Sequence, residues 1–373
     1  MVSRPKEHHF CTYFDRNYLT RGLVLYHSLS QYCTLPFTLW VLCLDSLTHD
    51  MLSLNNLAHL RLLTLAELEA GDTALLKAKA DRSAVEYYWS CTPSLPLFIL
   101  SQNPKIETIA YVDADLCFYS DPLPLYSELG THSILIIEHR YAPEHEHLAA
   151  TSGTYNVGLL IFRNDNNGLN CLNWWRERCL EWCFIRAEEG KFGDQKYLDD
   201  WLERFQGVIV LQNKGAGVAP WNFLQYRIDW NGHTLTVDGQ PLIFYHFHGF
   251  KNIAHTVVEP ARYCYKISPI LIQRLYLPYA RALAHMEHKT GRKNFMSTDT
   301  PLPPELMSAL FEPRWLLLSP SWLAMMVWTW AGRQRALEER IQNYFNHCER
   351  GRTPAARHHL LDSARLFLLL IQK

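Results

Sequence analysis

The sequence predicts an α/β protein built on an open, mostly parallel sheet flanked by helices, with a helical region appended at its C-terminal end. Three observations carry that prediction. Apolar runs of strand length alternate with segments of helical periodicity, the order that crossover-connected parallel strands produce. Several of the runs are apolar at every position rather than at alternate ones, the pattern of strands covered on both faces. The chain has 373 residues and 48% apolar content, enough to bury a full sheet core and leave a second region over.

Taken in order, "HHFCTYF" reads as a first strand, and "NYLTRGLVLYHSLSQY" sets Leu19, Leu23, Tyr26 and Leu29 on one face of the helix that follows. "PFTLWVLCLD" is a second, doubly covered strand, "THDMLSLNNL" a short helix and "LRLLTLAEL" a further apolar strand. "TPSLPLFILSQ" predicts a helix with Pro93 near its first turn, where a missing N–H costs nothing. "TIAYVDAD", "SILIIE" and "VGLLIFRN" read as strands, "LNCLNWWRERCLEWCFIRA" as a long helix and "DQKYLDDWLERF" as a short one. "GVIVL" and "PLIFYHF" are late strands. Strand signals then stop, which places a domain boundary after Arg262: residues 1–262 form the sheet domain and 263–373 a helical region, with "STDTPLPPE" as a linker-like break.

Charge and cysteine usage exclude several classes. With 36 basic against 37 acidic side chains there is no whole-protein field for nucleic acid, so any polyanion is met locally. The ten cysteines contain no CxxC pair and match neither a zinc ribbon nor a disulfide framework, and the N-terminal stretch is charged where a secretory leader is apolar. A cytoplasmic protein is expected. In the C-terminal region "RWLLLSPSWLAMMVWTWAGR" is broken by Ser319-Pro320 and falls short of a membrane span. Its Trp315, Trp322, Trp328 and Trp330, followed by Arg333, Arg335 and Arg340, fit either a helix pair packed on the sheet domain or a segment lying peripherally at the inner membrane. Oligomeric state is not legible.

The chemistry centres on "TIAYVDAD". Ligands of open α/β sheets bind at the carboxyl ends of strands, and Asp113 and Asp115 stand at such an end. Carboxylates at i and i+2 in a bending segment either cap the strand with solvated charge or converge on one hard divalent cation that also takes substrate phosphates.

Five segments in order bear on the choice: "TYFDRNYLTRGLVLYHSL", "YVDADLCFYSDPLPLY", "TYNVGLLIFRN", "GDQKYLDDW" and "HFHGFK", spread over roughly residues 8 to 252. Together they resemble the GT-A glycosyltransferases, most closely the family 8-like retaining branch that includes lipopolysaccharide galactosyltransferases and glycogenin. The resemblance implies a GT-A nucleotide-sugar-binding domain, a Mn2+ (or Mg2+) ion and a nucleotide-sugar donor, a UDP-sugar. It matches Thr12, Tyr13, Asp15, Asn17 and Tyr18 to the positions that hold the nucleoside: Asp15 for a uracil-like base, Asn17 for ribose, Tyr18 for stacking. Helix capping by Asp15 or Asn17 is the bland alternative. Asp113-Ala114-Asp115 then supplies the metal, and His246, just after the strand "LIFY", completes it, an imidazole beside two carboxylates suiting manganese. His246-Phe247-His248-Gly249 fits the family's His-x-x-Gly; Lys251 follows Gly249 by two residues where the family has three, and the usual Pro-Trp is missing. Asn156 would meet the sugar hydroxyls, Asp194 and Gln195 the anomeric carbon, and Trp221-Asn222 would close the pocket. Asp194 is equally a good N-cap.

The chemistry so implied moves a hexose-type sugar to a glycan or lipid-linked acceptor, with retention, in bacterial surface polysaccharide synthesis. The cation neutralises the leaving diphosphate and Asp194 or Gln195 tolerates the positive sugar. No carboxylate stands out as the acceptor-activating base an inverting enzyme needs. The loop "EHRYAPEHEHLAATSGTY" reads as a polar lid, with His139, His145 and His147 solvated. The rivals are a glycan-binding protein without catalysis and an Asp-x-Asp phosphatase, though Cys117 stands where the latter has Thr or Val.

Overall fold

The structure, a computed structural model, describes residues 7–188, 190–254, 257–259, 261, 265 and 267–290. The tryptophan- and arginine-bearing segment from 315 to 340 and the linker before it lie outside them. The chain divides into two compact units, Met1–Phe247 and His248–Lys373.

The first unit holds strands β1 (His8–Phe14), β2 (Phe37–Cys43), β3 (Leu60–Thr64), β4 (Thr108–Val112), β5 (Leu116–Phe118), β6 (Ile134–Glu138), β7 (Tyr155–Arg163) and β8 (Val208–Val210). Later come β9 (Ile228–Trp230), β10 (Leu235–Val237), β11 (Gln240–Pro241) and β12 (Phe244–His246). Seven of these form the main sheet, in the order β3-β2-β1-β4-β7-β6-β8. β1 pairs in parallel with β2 and β4, β2 with β3, and β6 with β8; β7 runs antiparallel to both its neighbours. The α/β class, the mostly parallel sheet and its flanking helices are as the sequence predicts.

The unalternating apolar runs explain why the sheet is buried on both sides. In β1, Cys11 faces a core shared with Tyr111, Leu160 and Phe162, and with Cys91, Leu95 and Trp175 of the helices Ala84–Gln102 and Asn166–Glu181. Phe10, on the opposite face, meets Phe118 and Tyr126 edge-on. The helix Leu19–Tyr32 buries Leu19, Leu23, Tyr26 and Leu29, the stripe read from its periodicity.

Several boundaries differ from expectation. The helix over "TPSLPLFILSQ" starts at Ala84, where Ser83 and Glu86 cap it reciprocally, so Pro93 and Pro96 lie in its interior. Interior prolines cost about 3 kcal/mol each; burial of Cys91, Leu95 and Ile99 offsets that loss, which composition alone does not reveal. "LRLLTLAEL" is a strand only to Thr64, whose capping box with Glu67 starts a helical turn at Leu65. The long helix ends at Glu181, short of the predicted Ala187, and residues 196–204 are a 3-10 turn followed by one turn of α-helix.

In the second unit an antiparallel hairpin pairs Lys251–Ala254 with Val257–Glu259. The helical stretch Pro269–Thr290 buries Leu275, Tyr276, Tyr279 and Leu283, with Phe250 against both tyrosine rings. Among the described residues no helix is long and apolar enough to cross a membrane.

Candidate functional site

Sheet topology gathers the residues singled out in the sequence. β1 and β4 are parallel neighbours, so Asp15 and Asp113 lie just past the same edge. Because β7 is reversed, its beginning lies at that edge too, with Asn156 in register with Ile137 and Tyr155 with Glu138 at the end of β6. This is the carboxyl edge at which open α/β sheets take their ligands.

The two carboxylates and the imidazole are brought together by backbone pairing. Asp113 extends the β4 ladder, its N–H donating to Gly158 O at 2.9 Å, and a turn closed by Leu116 N–H to Asp113 O leads into β5. β5 runs antiparallel to β12 with His246 opposite Leu116, and Phe247 N–H donates to Asp115 O at 3.0 Å. His246 is thereby delivered to Asp115. Its Nε2 lies 3.1 Å from Asp115 Oδ1 and 3.7 Å from Asp113 Oδ2. The Tyr111 hydroxyl donates to Asp113 Oδ1 at 2.8 Å, which turns Oδ2 to the imidazole. Asp115 and His246 are 9% and 4% exposed, and Ala114 between the carboxylates is also buried.

The close approach of β7 depends on Gly158. A Cβ there would stand 2.8 Å from His246 Nδ1 and 2.5 Å from Asn156 Oδ1. The His246 ring also meets the Trp221 indole edge-on, centroids 5.3 Å apart.

Electrostatics at this spot favour positive charge. Desolvation raises the Asp113 carboxyl above the ordinary carboxylate range and the neighbouring Asp115 adds to this, while His246 and the Tyr111 hydroxyl pull the other way. Burial by itself would lower His246, but the charge and hydrogen bond of Asp115, with Asp113 behind it, raise it above the usual histidine value. The donor set also fits a hard-to-borderline cation. Ligand atoms about 2.1 Å from an octahedral ion sit about 3 Å apart along an edge, close to the 3.1 Å separation of His246 Nε2 from Asp115 and shorter than the 3.7 Å to Asp113.

On the β1 side, Asn17 binds Asp15 through both its N–H (2.9 Å) and its side-chain amide (2.8 Å). Neither caps the following helix, whose first flanking residue is Tyr18. The Tyr18 ring is 43% exposed, is covered on one side by Arg21 at 4.5 Å, and has its hydroxyl raised by burial and by the charge of Asp115. The Tyr13 hydroxyl lies 3.1 Å from Thr92 Oγ1, its ring packs on Tyr111, and burial together with the charges of Asp194 and Asp113 raises that hydroxyl above its ordinary value. Thr12 is buried, its hydroxyl without a partner among the described residues.

Asn156 and Gln195 form one hydrogen-bonded unit. Gln195 Oε1 accepts from Asn156 Nδ2 (3.1 Å) and Val157 N–H (3.2 Å), and Gln195 Nε2 donates to Ser152 O (2.7 Å). Asp194 caps no helix, since Gln195 is the residue before the 3-10 turn. Its carboxyl is buried and pushed up to about 7, mainly by desolvation, with Asp113 adding and the Thr92 hydroxyl opposing. Asn222 spends its amide on backbone: Oδ1 accepts from Ala219 N–H, and Nδ2 donates to Gly217 O and His139 O. Trp221 Nε1 also donates to His139 O, at 2.9 Å.

His139 corrects the sequence reading. It was expected to be solvated, yet it is 4% exposed and tied to Trp221, Asn222 and Asn156; His145 is buried as well, while His147 is exposed. A loop rich in charge hid them, because polarity of the neighbours says little about one ring that turns inward. In the second unit, Gly249 has φ +77°, a conformation that favours glycine, and Lys251 opens the hairpin strand opposite Glu259.

No family model matches the chain. Among curated proteins it is 33% identical over 288 residues to the uncharacterized protein YfnF of Bacillus subtilis, a match covering 74% of this chain and 93% of that one. The chain belongs to the family of that protein. YfnD, an uncharacterized protein of the same organism, is a further member at 32% identity over 273 residues, covering 73% of this chain and 87% of its own. Solved structures similar to this member of the YfnF family include the galactosyltransferase LgtC with donor and acceptor sugar analogs, at 13% identity and TM-score 0.42, covering 80% of this chain and 99% of LgtC. Mouse xyloside xylosyltransferase 1 is similar at 15% identity and TM-score 0.41, covering 64% of this chain and 97% of that one. At such TM-scores the likeness carries no functional weight.

Proposed function

We propose that the protein is a GT-A glycosyltransferase that moves a hexose-type sugar from a UDP-sugar to a glycan or lipid-linked acceptor, with retention, in bacterial surface polysaccharide synthesis. The observation that carries this reading is the meeting of Asp113, Asp115 and His246, distant in sequence, at the carboxyl edge of the sheet. These three would hold Mn2+ or Mg2+, which when bound supplies a Lewis acid for the charge left on the departing diphosphate. Residues 1–262 would make up the catalytic domain, and the helical remainder a membrane- or partner-contacting region.

The other residues then have defined work. The half-exposed Tyr18 ring offers a face to the base, and the Asp15–Asn17 pair presents acceptor and donor groups beside it. Asn156 and Gln195, locked to one another and to backbone, would orient the sugar with little freedom left to lose. Asp194, titrating about pH 7, ionises more readily as positive charge develops on the sugar ring nearby. The acceptor hydroxyl would attack from the face the diphosphate leaves and pass its proton to the departing diphosphate oxygen, so no separate base is required of the protein.

Nucleotide release from a panel of nucleotide sugars with manganese tests the proposal. Release is expected from a UDP-sugar, and loss of several kcal/mol of charge stabilisation in Asp115→Ala or with chelator should lower it by more than about 100-fold. Release that is indifferent to both, or saturable binding of sugar nucleotide with no turnover in any acceptor mixture, would overturn it.

A further inference from the structure

We infer that His139 is a positioning residue for the donor-sugar site, acting through Asn156 and Gln195 as a neutral ring protonated on Nδ1; the inference rests on the functional reading above. The hydrogen bonds fix each group in turn. Gly158 N–H donates to Asn156 Oδ1 at 2.9 Å, so the other end of that amide is its NH2. Asn156 Nδ2 then donates to Gln195 Oε1 at 3.1 Å and to His139 Nε2 at 3.3 Å. His139 Nε2 must accept, which puts the ring proton on Nδ1, and Nδ1 faces the Thr154 carbonyl at 3.3 Å.

Gln195 is anchored in the same way, its Oε1 on Val157 N–H and its Nε2 on Ser152 O. The circuit therefore begins and ends on backbone, at Thr154, Gly158, Val157 and Ser152, and allows one orientation of both amides. His139 is held in place independently of it: the ring stacks on Tyr141 at 4.5 Å and stands edge-on to Trp221 at 5.2 Å. Its carbonyl takes hydrogen bonds from Trp221 and Asn222, and Trp221 in turn packs on His246. The ring thus aligns the two amides at the sugar while its carbonyl supports the indole beside the metal ligand. Without the Nε2 acceptor, Asn156 keeps its bond to Gln195 but loses the restraint that aims its second N–H.

Nitrogen-15 NMR of the histidine rings in the full chain, with and without magnesium, whose ion is diamagnetic, reads the protonation directly. The result expected is a His139 ring whose unprotonated nitrogen is Nε2; a proton on Nε2 overturns the inference whatever the activity. In nucleotide-release assays, His139→Leu should lower kcat by about 10- to 100-fold with donor KM within a few-fold of the parent, as misalignment does. His139→Gln keeps an acceptor oxygen near the Nε2 position and should recover most of the loss. Equal kcat in parent and His139→Leu overturns the inference. If no nucleotide sugar supports turnover, the enzymatic reading fails, while the ring tautomer and the Asn156 amide signal still decide the hydrogen-bond assignment.

Discussion

Replacing Gly158 by alanine probes how tightly β7 is fitted to the imidazole. The backbone there lies outside the left-handed region, so a side chain is resisted by its neighbours alone. The new Cβ would stand 2.8 Å from His246 Nδ1 and 3.0 Å from Cε1, and 2.5 Å from Asn156 Oδ1, where ordinary contact begins at 3.4 Å. The imidazole has to retreat by 3.4 − 2.8, roughly 0.6 Å, while it already packs on Trp221 and contacts Asp115. Overpacking of this kind costs about 1–3 kcal/mol. Borne by the proposed ligand set, it should lower manganese affinity by about 5- to 100-fold. Borne by the fold, it lowers the melting temperature by about 2–4 °C for each kcal/mol. Calorimetric titration with manganese and a thermal melt on the same sample separate the two. Parent-like affinity together with an unchanged melt would refute the packing argument.

Three other substitutions have signed outcomes. Asp194 has a folded-state value of about 7 against an ordinary 3.8, so the protonated form is the one the fold favours; the stability it contributes is full below about pH 4 and lost as pH rises through 7. Asp194→Asn should therefore gain on the parent between pH 5 and pH 8, by up to roughly 4 kcal/mol at the upper end, measured by denaturant titration at each pH; a constant difference would exclude the burial account. Tyr18→Ala should raise the donor KM by about 5- to 100-fold, the worth of one base–aromatic stack, with kcat little changed; a fall in kcat alone would argue against a base-stacking role. Ser83→Ala removes one half of the capping box on the helix Ala84–Gln102 and should cost about 1 kcal/mol in urea unfolding, leaving manganese affinity as in the parent.

The features legible in sequence are those written in runs of adjacent residues. β1, β2 and β4 declare themselves by continuous apolarity, and Asp113 and Asp115 by interrupting it. Their partner in space was visible only as a histidine at the end of a late apolar strand, because the β5–β12 pairing is three residues long and too short for any periodicity to report. The start of the helix at Ala84 was obscured by Pro93 and Pro96, local signals that packing overrides. Capping was a fair alternative for Asp15, Asn17 and Asp194, since short polar side chains ahead of apolar periodicity look alike whatever they bind; in the structure none of them caps. His139 left no signal at all, for its role depends on which way one side chain of a polar loop turns.

The short ladder between β5 and β12 also sets a schedule for the growing polypeptide. Both acids, the reversed strand and the locked amides have left the ribosome well before Phe244 to His246 can pair with Leu116 to Phe118. A nascent chain thus carries an acidic notch without its imidazole, and on the proposed reading the competence to retain a divalent ion would arrive only when the tail of this unit zips into place.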